Sequence, residues 1–307
     1  MKRFVCKIGI YLLPIVLLII LLECVVERIP NSYEYKRQYM ESHAADIQTL
    51  IMGHSVAYDG IDPSELRGAF NLANSSQCLE DDYRLLARYI EKMDSLKYVI
   101  LPLSYSSLQM VSSSNRRGYY TIYMDLYPRW PISKYSFEFF NLELMAKKIA
   151  KTILYSEDLV RCDSLGMRVG HTIENRDKED WKQVKQLIKN DQFTGGASLQ
   201  YIEQNINYLE NIVTCCKKHG VELILIAMPM MHEYQQGIAN EQIQTMGTAM
   251  RDAYKKNDNV RIYDMQTWGD ENDFWNATHL NRSGAQRLTK EINKILEWNV
   301  KEYQYNK

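Results

Sequence analysis

"LIMGHSVAYDG", residues 50–60, decides how this chain is read. An apolar run stops at Gly53, and His54 and Ser55 follow at once. A continuous apolar run that ends in a tight turn is the pattern of a strand buried on both faces. The serine presented there is either a hydroxyl in a turn or a nucleophile at the mouth of an α/β sheet.

Four further strand-like runs lie outward of it: "AFNLA" (69–73), "KYVILPL" (97–103), "VELILIAM" (221–228) and "VRIYDM" (260–265), the first run beginning at "IQTLIMG" (47–53). Helical stretches separate them. Residues 79–93 place Leu79, Tyr83, Leu86 and Ile90 on one face, and residues 199–220 do the same with Ile202, Ile206, Leu209, Ile212 and Val213 before ending at Gly220. Residues 284–300 close the chain with Leu288, Ile292, Ile295 and Leu296. Apolar strands alternating with helices predict a five-stranded parallel sheet in a three-layer α/β/α domain over residues 45–307. Pro102 should end the third strand near Leu101 to Leu103. Residues 105–195 break the rhythm and read as an insertion, Tyr- and Ser-rich, then helical, then polar. Its aromatics are expected to pack on the main domain, with a lid or a carbohydrate platform as the alternatives.

The first thirty residues differ from the rest. Lys2, Arg3 and Lys7 precede an apolar run from Ile8 to Leu22, which Glu23 interrupts before Cys24, Val25 and Val26. That length is borderline for a spanning helix, and Glu23 is placed to snorkel to the far interface. The positive flank comes first, so residues 1–28 read as a transmembrane anchor with a cytoplasmic N-terminus and an extracytoplasmic domain, periplasmic or at the cell surface. A cleaved signal peptide is the competitor, without a small-residue cleavage site after the run. Residues 29–44 read as a polar helical stalk.

The net charge is −1 with no basic stripe, which argues against nucleic acid. Six cysteines show no C-x-x-C or Cys/His spacing, so neither a disulfide framework nor a metal site is expected. No glycine-rich phosphate loop follows any strand, so no cofactor is expected.

In open parallel sheets, ligands bind beyond the carboxyl ends of the strands. The residues found there are Gly53, His54 and Ser55; Asn74 to Gln77; Ser104 to Ser106; Pro229 and His232; and Asp264 with the loop "GDENDFWNATHLNRSGA" (269–285). In that loop His279 stands just before a helix start, with Ser283 as the expected N-cap. A histidine so mounted can serve as a general base if a serine faces one nitrogen and a third group holds the other. His54 reads as a packed residue, His232 as a lesser candidate for the cleft, and Asp59 and Asp62 as solvated turn residues by default, with a place flanking the cleft as the alternative.

Together, "IMGHSVAYDGIDP" and "FWNATHLNRSGAQRLT" resemble the SGNH/GDSL hydrolase superfamily, in particular membrane-anchored SGNH-like proteins of bacterial surfaces, whose first block likewise leads to "F-N-L-A" as in "AFNLANSSQ". The resemblance covers most of residues 45–300 outside the insertion. It implies a flavodoxin-like fold and an esterase or O-acyltransferase acting on cell-surface glycan through Ser55 as nucleophile and His279 as base. The Ser55 backbone N–H would supply one oxyanion donor. Three departures follow. The carboxylate three residues before the histidine is Asn276, with Asp273 or Asp270 as substitutes from the same loop. The second-block glycine is replaced near Ser75 or Ser76, and the third-block asparagine by Ser104 or Tyr105. A carbohydrate or acylated-glycan substrate, the inner membrane and a membrane-bound acyltransferase are the implied partners. The rival reading is a catalytically silent SGNH-like domain that binds glycan or scaffolds such an acyltransferase.

Overall fold

The computed structural model describes residues 2–112, 114–176, 184, 188 and 196–305, so most of 177–195 in the expected insertion lies outside the described residues. By contacts the chain divides into two units, residues 1–38 with 113–161, and residues 39–112 with 162–307.

The first unit begins with α1 (Lys2–Glu27), whose stretch Gly9–Glu27 is long and apolar enough to cross a membrane. A second helix, α2 (Ser32–His43), follows at Asn31, whose side-chain oxygen accepts from the N–H groups of Tyr33 and Glu34.

The sheet unit holds five strands: β1 (Thr49–Ile51), β2 (Ala69–Asn71), β3 (Tyr98–Leu103), β4 (Glu222–Ala227) and β5 (Val260–Asp264). All pair in parallel in the order β2-β1-β3-β4-β5, which is the flavodoxin-like order. Leu50, Ile100, Leu225 and Ile226 are shielded from solvent, as expected when helices cover both faces. The sheet unit carries the helices α3 (Ser55–Gly60), α4 (Leu79–Tyr89), α7 (Gly196–Lys218), α8 (His232–Gly237), α9 (Asn240–Lys256) and α10 (Arg282–Tyr305), while α5 (Ser114–Ile122) and α6 (Leu142–Ile149) belong to the first unit.

Pro102 sits inside β3, opposite Ile226 of β4, in a strand with neighbours on both sides. The sheet tolerates it because β1 has already ended. Met52 makes the last bond from that side, to the Ile100 carbonyl, and Gly53 then turns the chain away. The missing proline N–H therefore faces no ladder partner.

Chain order reverses between β1 and β3, so the crevice beyond their carboxyl ends is the ligand position of such sheets. Gly53 makes the turn there at φ +112°, and a Cβ on it would meet the Pro102 carbonyl at 3.2 Å and Ala57 at 3.3 Å. The chain passes straight from that turn into α3, with Ser55 in its first turn. Asn71 of the "FNLA" stretch fixes the other end of α3, donating to the carbonyls of Ala57 (2.9 Å) and Ile61 (3.1 Å). On the outer side of β2, the Asn71 N–H donates to the Leu165 carbonyl, and Gly166 leaves no room for a Cβ against the Asn71 backbone. Residues 162–176 thus belong with the sheet and bring a polar loop towards α3.

Candidate active site

Ser55 and His279 come from opposite ends of the chain. β6 (Phe274–Asn276) and β7 (His279–Leu280) form a small antiparallel hairpin just before α10. The cap of α10 is Asn281 rather than Ser283, because the helix begins two residues earlier than the serine implies. The Asn281 side-chain oxygen accepts from the Gly284 N–H at 2.9 Å, and its carbonyl accepts from Ala285. The Asn281 amide also donates to the Asn272 carbonyl at 2.6 Å, tying the loop before the hairpin to the helix after it.

This mount aims His279 Nε2 at Ser55 Oγ, 2.8 Å away. On the other side of the ring, Nδ1 lies 3.0 Å from Asn276 Oδ1 and 3.0 Å from Thr278 Oγ1. Asn276 Oδ1 also accepts from the backbone N–H groups of Thr278 (3.0 Å) and His279 (2.9 Å). An amide oxygen can only accept, so the proton belongs on Nδ1, and Nε2 is left to accept from the serine. The structure therefore brings together Ser55, His279 and Asn276 in the order base chemistry needs.

Asp273 and Asp270 are committed elsewhere. Asp273 is buried, its oxygens accepting from Arg287 (2.7 Å) and from the Asp270 N–H (2.9 Å). The Asp270 side chain caps the turn at the Asn272 N–H.

Asp59 brings a carboxylate to within 3.8 Å of the His279 ring. It lies four residues after Ser55 on α3 and is buried, as is Asp62, where the sequence suggested solvated turns. One Asp59 oxygen is 2.8 Å from Arg168 Nε; the other is 3.5 Å from His171 Nδ1 and 3.8 Å from His279 Nε2. Asp62 is held by Ser64 and by Arg282 at 3.2 Å. Arg168 also bonds Ser75 and lies over the Tyr58 ring. His171 stacks on Trp275 with ring centroids 3.8 Å apart and meets His279 edge-on. Asp59, Arg168 and His171 line a cleft of about 220 Å³ with Gly170, Thr172 and Arg282. Sequence reading missed Arg168 and His171, which sit in the stretch taken as insertion. Only the glycines flanking "MRV", Gly166 and Gly170, at positive φ in the structure, hint at a built loop.

The Ser55 N–H stands in the first turn of α3, where amides have no helical acceptor. Ser76 holds φ +56° in the turn closed by the Gln77 N–H on the Asn74 carbonyl, the backbone conformation a glycine supplies freely. Ser104 Oγ is 3.0 Å from His54 Nε2, which also meets Ser107 Oγ at 2.9 Å. His54 Nδ1 faces the Val56 N–H, so Nε2 carries the proton and His54 acts as a donor holding the end of β3, not as a base. Tyr105 donates to Gln266. His232 lines a second hollow of about 250 Å³ with Trp268 and Phe274, to which Ser55 does not contribute. Among the described residues, no group of three His, Cys, Asp or Glu side chains could hold a metal ion.

A buried carboxylate underlies both turns. Asp82 Oδ1 accepts from the Gly53 N–H at 2.8 Å and from Gln77 Nε2 at 2.6 Å, and burial pushes it up to about 7. The ring nitrogens move the other way. Burial, then the Arg168 charge, with His171 and His54 adding to it, push His279 down to about 3. Burial and Arg168 hold His171 at about 4, and burial alone holds His54 there. His279 is thus neutral at pH 7, ready to accept a proton, but its imidazolium lacks a charged partner at Nδ1.

No family model matches the chain, and no curated protein matches it. Among solved structures, one titled as a "putative platelet activating factor" from Streptococcus pneumonia is 14% identical, with a TM-score of 0.42, over 96% of this chain and 99% of its own. A "putative acylhydrolase" from Bacteroides fragilis is 9% identical, with a TM-score of 0.41, over 85% of this chain and 95% of its own. Likeness this distant assigns no chemistry.

Proposed function

We propose that this chain is a serine acyl-ester hydrolase or O-acyltransferase of SGNH type. The observation that carries the reading is the Ser55 Oγ to His279 Nε2 contact of 2.8 Å, with Asn276 on the far side of the ring. Ser55 Oγ attacks the acyl carbon, and its proton passes to Nε2. The tetrahedral oxyanion is met by the Ser55 N–H and by donors at Ser76 and Ser104, each good donor lowering the barrier by roughly 2.7–4 kcal/mol. Collapse returns the proton to the leaving alkoxide oxygen and leaves the acyl group on Ser55. Water or a sugar hydroxyl, deprotonated by His279, then takes the acyl group.

A cell-surface carbohydrate as substrate, and an extracytoplasmic site, follow from the sequence resemblance and the N-terminal helix. Retention of α1 as an anchor is supported by its last two turns. Glu23 accepts from the Glu138 and Phe139 N–H groups, Glu27 pairs with Arg129, and the Val26 carbonyl accepts from buried Lys148. Cleavage after Val26 would remove Glu23 and the Val26 carbonyl, leaving the Glu138 and Phe139 N–H groups and one bond of Lys148 without these acceptors.

The test is labelling by a fluorophosphonate probe in wild type and Ser55→Ala. Strong labelling that the variant loses supports the nucleophile; equal labelling, or none in either, counts against it. The silent-scaffold reading draws on one observation, the neutral Asn276 beside a ring held near 3. Glycan binding without probe labelling, unchanged in Ser55→Ala, would favour it.

A further inference from the structure

We propose that residues 129–155 form a collar embedded in the lipid interface around the C-terminal end of α1. The inference rests on α1 being retained as an anchor, and it adds a second membrane-contacting element that the apolar helix does not itself imply.

The bonds described above fix the level of this segment. Arg129 Nη1 holds Glu27 at 2.6 Å, so Trp130 is one residue from a side chain bound to the end of the apolar span. Glu23, instead of snorkelling, accepts at 2.7 and 2.9 Å from Glu138 and Phe139, so Phe140 stands beside the last turns of the same helix. Lys148 Nζ donates to the Val26 carbonyl at 3.0 Å from within α6. Three separate anchors therefore place the segment where the hydrocarbon core gives way to headgroups.

Its surface is wrong for water. Trp130 is 74% exposed and Leu154 73%, and Ile132, Phe140, Leu142 and Ile153 are also exposed. Apolar side chains so clustered on one small unit mark an interaction surface. The occupant is set by continuity, since α1 next to them exposes Leu13, Leu17 and Leu21, which the bilayer must cover. The chemistry between the apolar groups fits a headgroup layer. Lys134, Lys147 and Lys151 are exposed, and residues 129–155 carry five basic and two acidic side chains. Tryptophan with flanking lysines is the composition found at membrane–water boundaries, where lysine stems lie along apolar surface and the ammonium reaches anionic lipid.

The experiment uses the full chain in phosphatidylcholine–phosphatidylglycerol vesicles. Tryptophan emission is quenched in turn by lipids brominated near the interface and by aqueous acrylamide, and the Trp130 component is taken as the difference from Trp130→Phe. A second reporter, Leu154→Trp in the Trp130→Phe background, repeats the measurement. The expected result is that brominated lipid removes more than half of each component while acrylamide removes little. Quenching by acrylamide and not by lipid puts the segment in water and overturns the proposal. Protection from both quenchers in native membranes but not in vesicles assigns the surface to a protein partner and overturns it as well. Intact mass of the extracted protein separates the two readings: loss of α1 sinks anchor and collar together, whereas α1 retained with a water-exposed Trp130 sinks only the collar.

Discussion

Ser55 and Asp59 lie one turn apart on α3 and face the same atom, His279 Nε2, at 2.8 and 3.8 Å. The charge that the hairpin omits at Asn276 is thus present on the serine's own helix. Asp59 is already paired with Arg168 at 2.8 Å, which limits what it offers the ring at rest. It matters when Nε2 takes the serine proton and a second positive charge appears beside Arg168.

Asp59→Asn should therefore slow ester turnover at least tenfold, about 1.4 kcal/mol in the barrier, with little change in KM for a small neutral ester. It should also destabilise the fold by roughly 3–5 kcal/mol, because Arg168 loses its buried partner. Adding Arg168→Gln should recover much of the melting temperature but not the rate. If the single variant keeps wild-type kcat, Asp59 holds Arg168 and does nothing for the imidazolium.

Asn276→Asp tests the other side of the ring. A carboxylate at 3.0 Å from Nδ1 would favour imidazolium, so His279 should rise from its present value near 3. Wild-type activity requires the neutral ring and should hold steady as pH falls from 7 to about 4 before any loss from this group. The variant's acid limb should move up by a unit or more, and its plateau rate should rise. The reverse change in a serine-protease triad cost about 10⁴, which bounds the gain. An unmoved acid limb would show that Asn276 does not govern the ring.

Gly53 carries the turn that delivers Ser55. Gly53→Ala forces a side chain into φ +112° and against the Pro102 carbonyl. The strain should cost about 1–3 kcal/mol of stability, and probe labelling of Ser55 should fall with it. Gly170→Ala, at φ +97° with open space around the missing Cβ, makes the control: strain without a clash, and a smaller loss.

The sheet was legible because each strand is an apolar run closed by a polar turn, and "LIMG" and "VELILIAM" bury both faces. Ser55 and His279 were legible because one follows the end of an apolar strand and the other precedes a helix start, whereas Asn276 entered only through the family resemblance. Arg168 and His171 were not, since more than 100 residues separate them from Ser55 and from His279, and no periodicity marks a loop whose place comes from the Asn71–Leu165 bond. Asp59 was misread for a related reason. A carboxylate in a short polar helix defaults to solvent, and only the distant arginine makes its burial tolerable. Ser283 lost the cap to Asn281 because an asparagine there can bond both the helix start and the Asn272 carbonyl.

His54, His171 and His279 on one side and Asp82 on the other set opposing dependences of stability on pH. His54 and His171 lie at about 4 and His279 at about 3 in the folded protein, below the ordinary 6.5. The unfolded chain therefore binds their protons first, so this stability is present above pH 6.5 and is lost as pH falls towards 4. Asp82 runs the other way: at about 7 when folded and 3.8 ordinarily, the folded state takes up its proton first and gains stability as pH falls through that window. Three groups oppose one, so the melting temperature should fall between pH 6.5 and 4. Asp82→Asn keeps an oxygen for Gly53 and Gln77 but removes the opposing proton, so its acid slope should be steeper by about 1.4 kcal/mol per pH unit. Denaturant unfolding at half-unit steps of pH measures both slopes. A wild-type stability that is flat or rising over this range, or a variant slope equal to wild type, would mean that Asp82 is ionised in the fold or that the histidines are not buried as neutral rings.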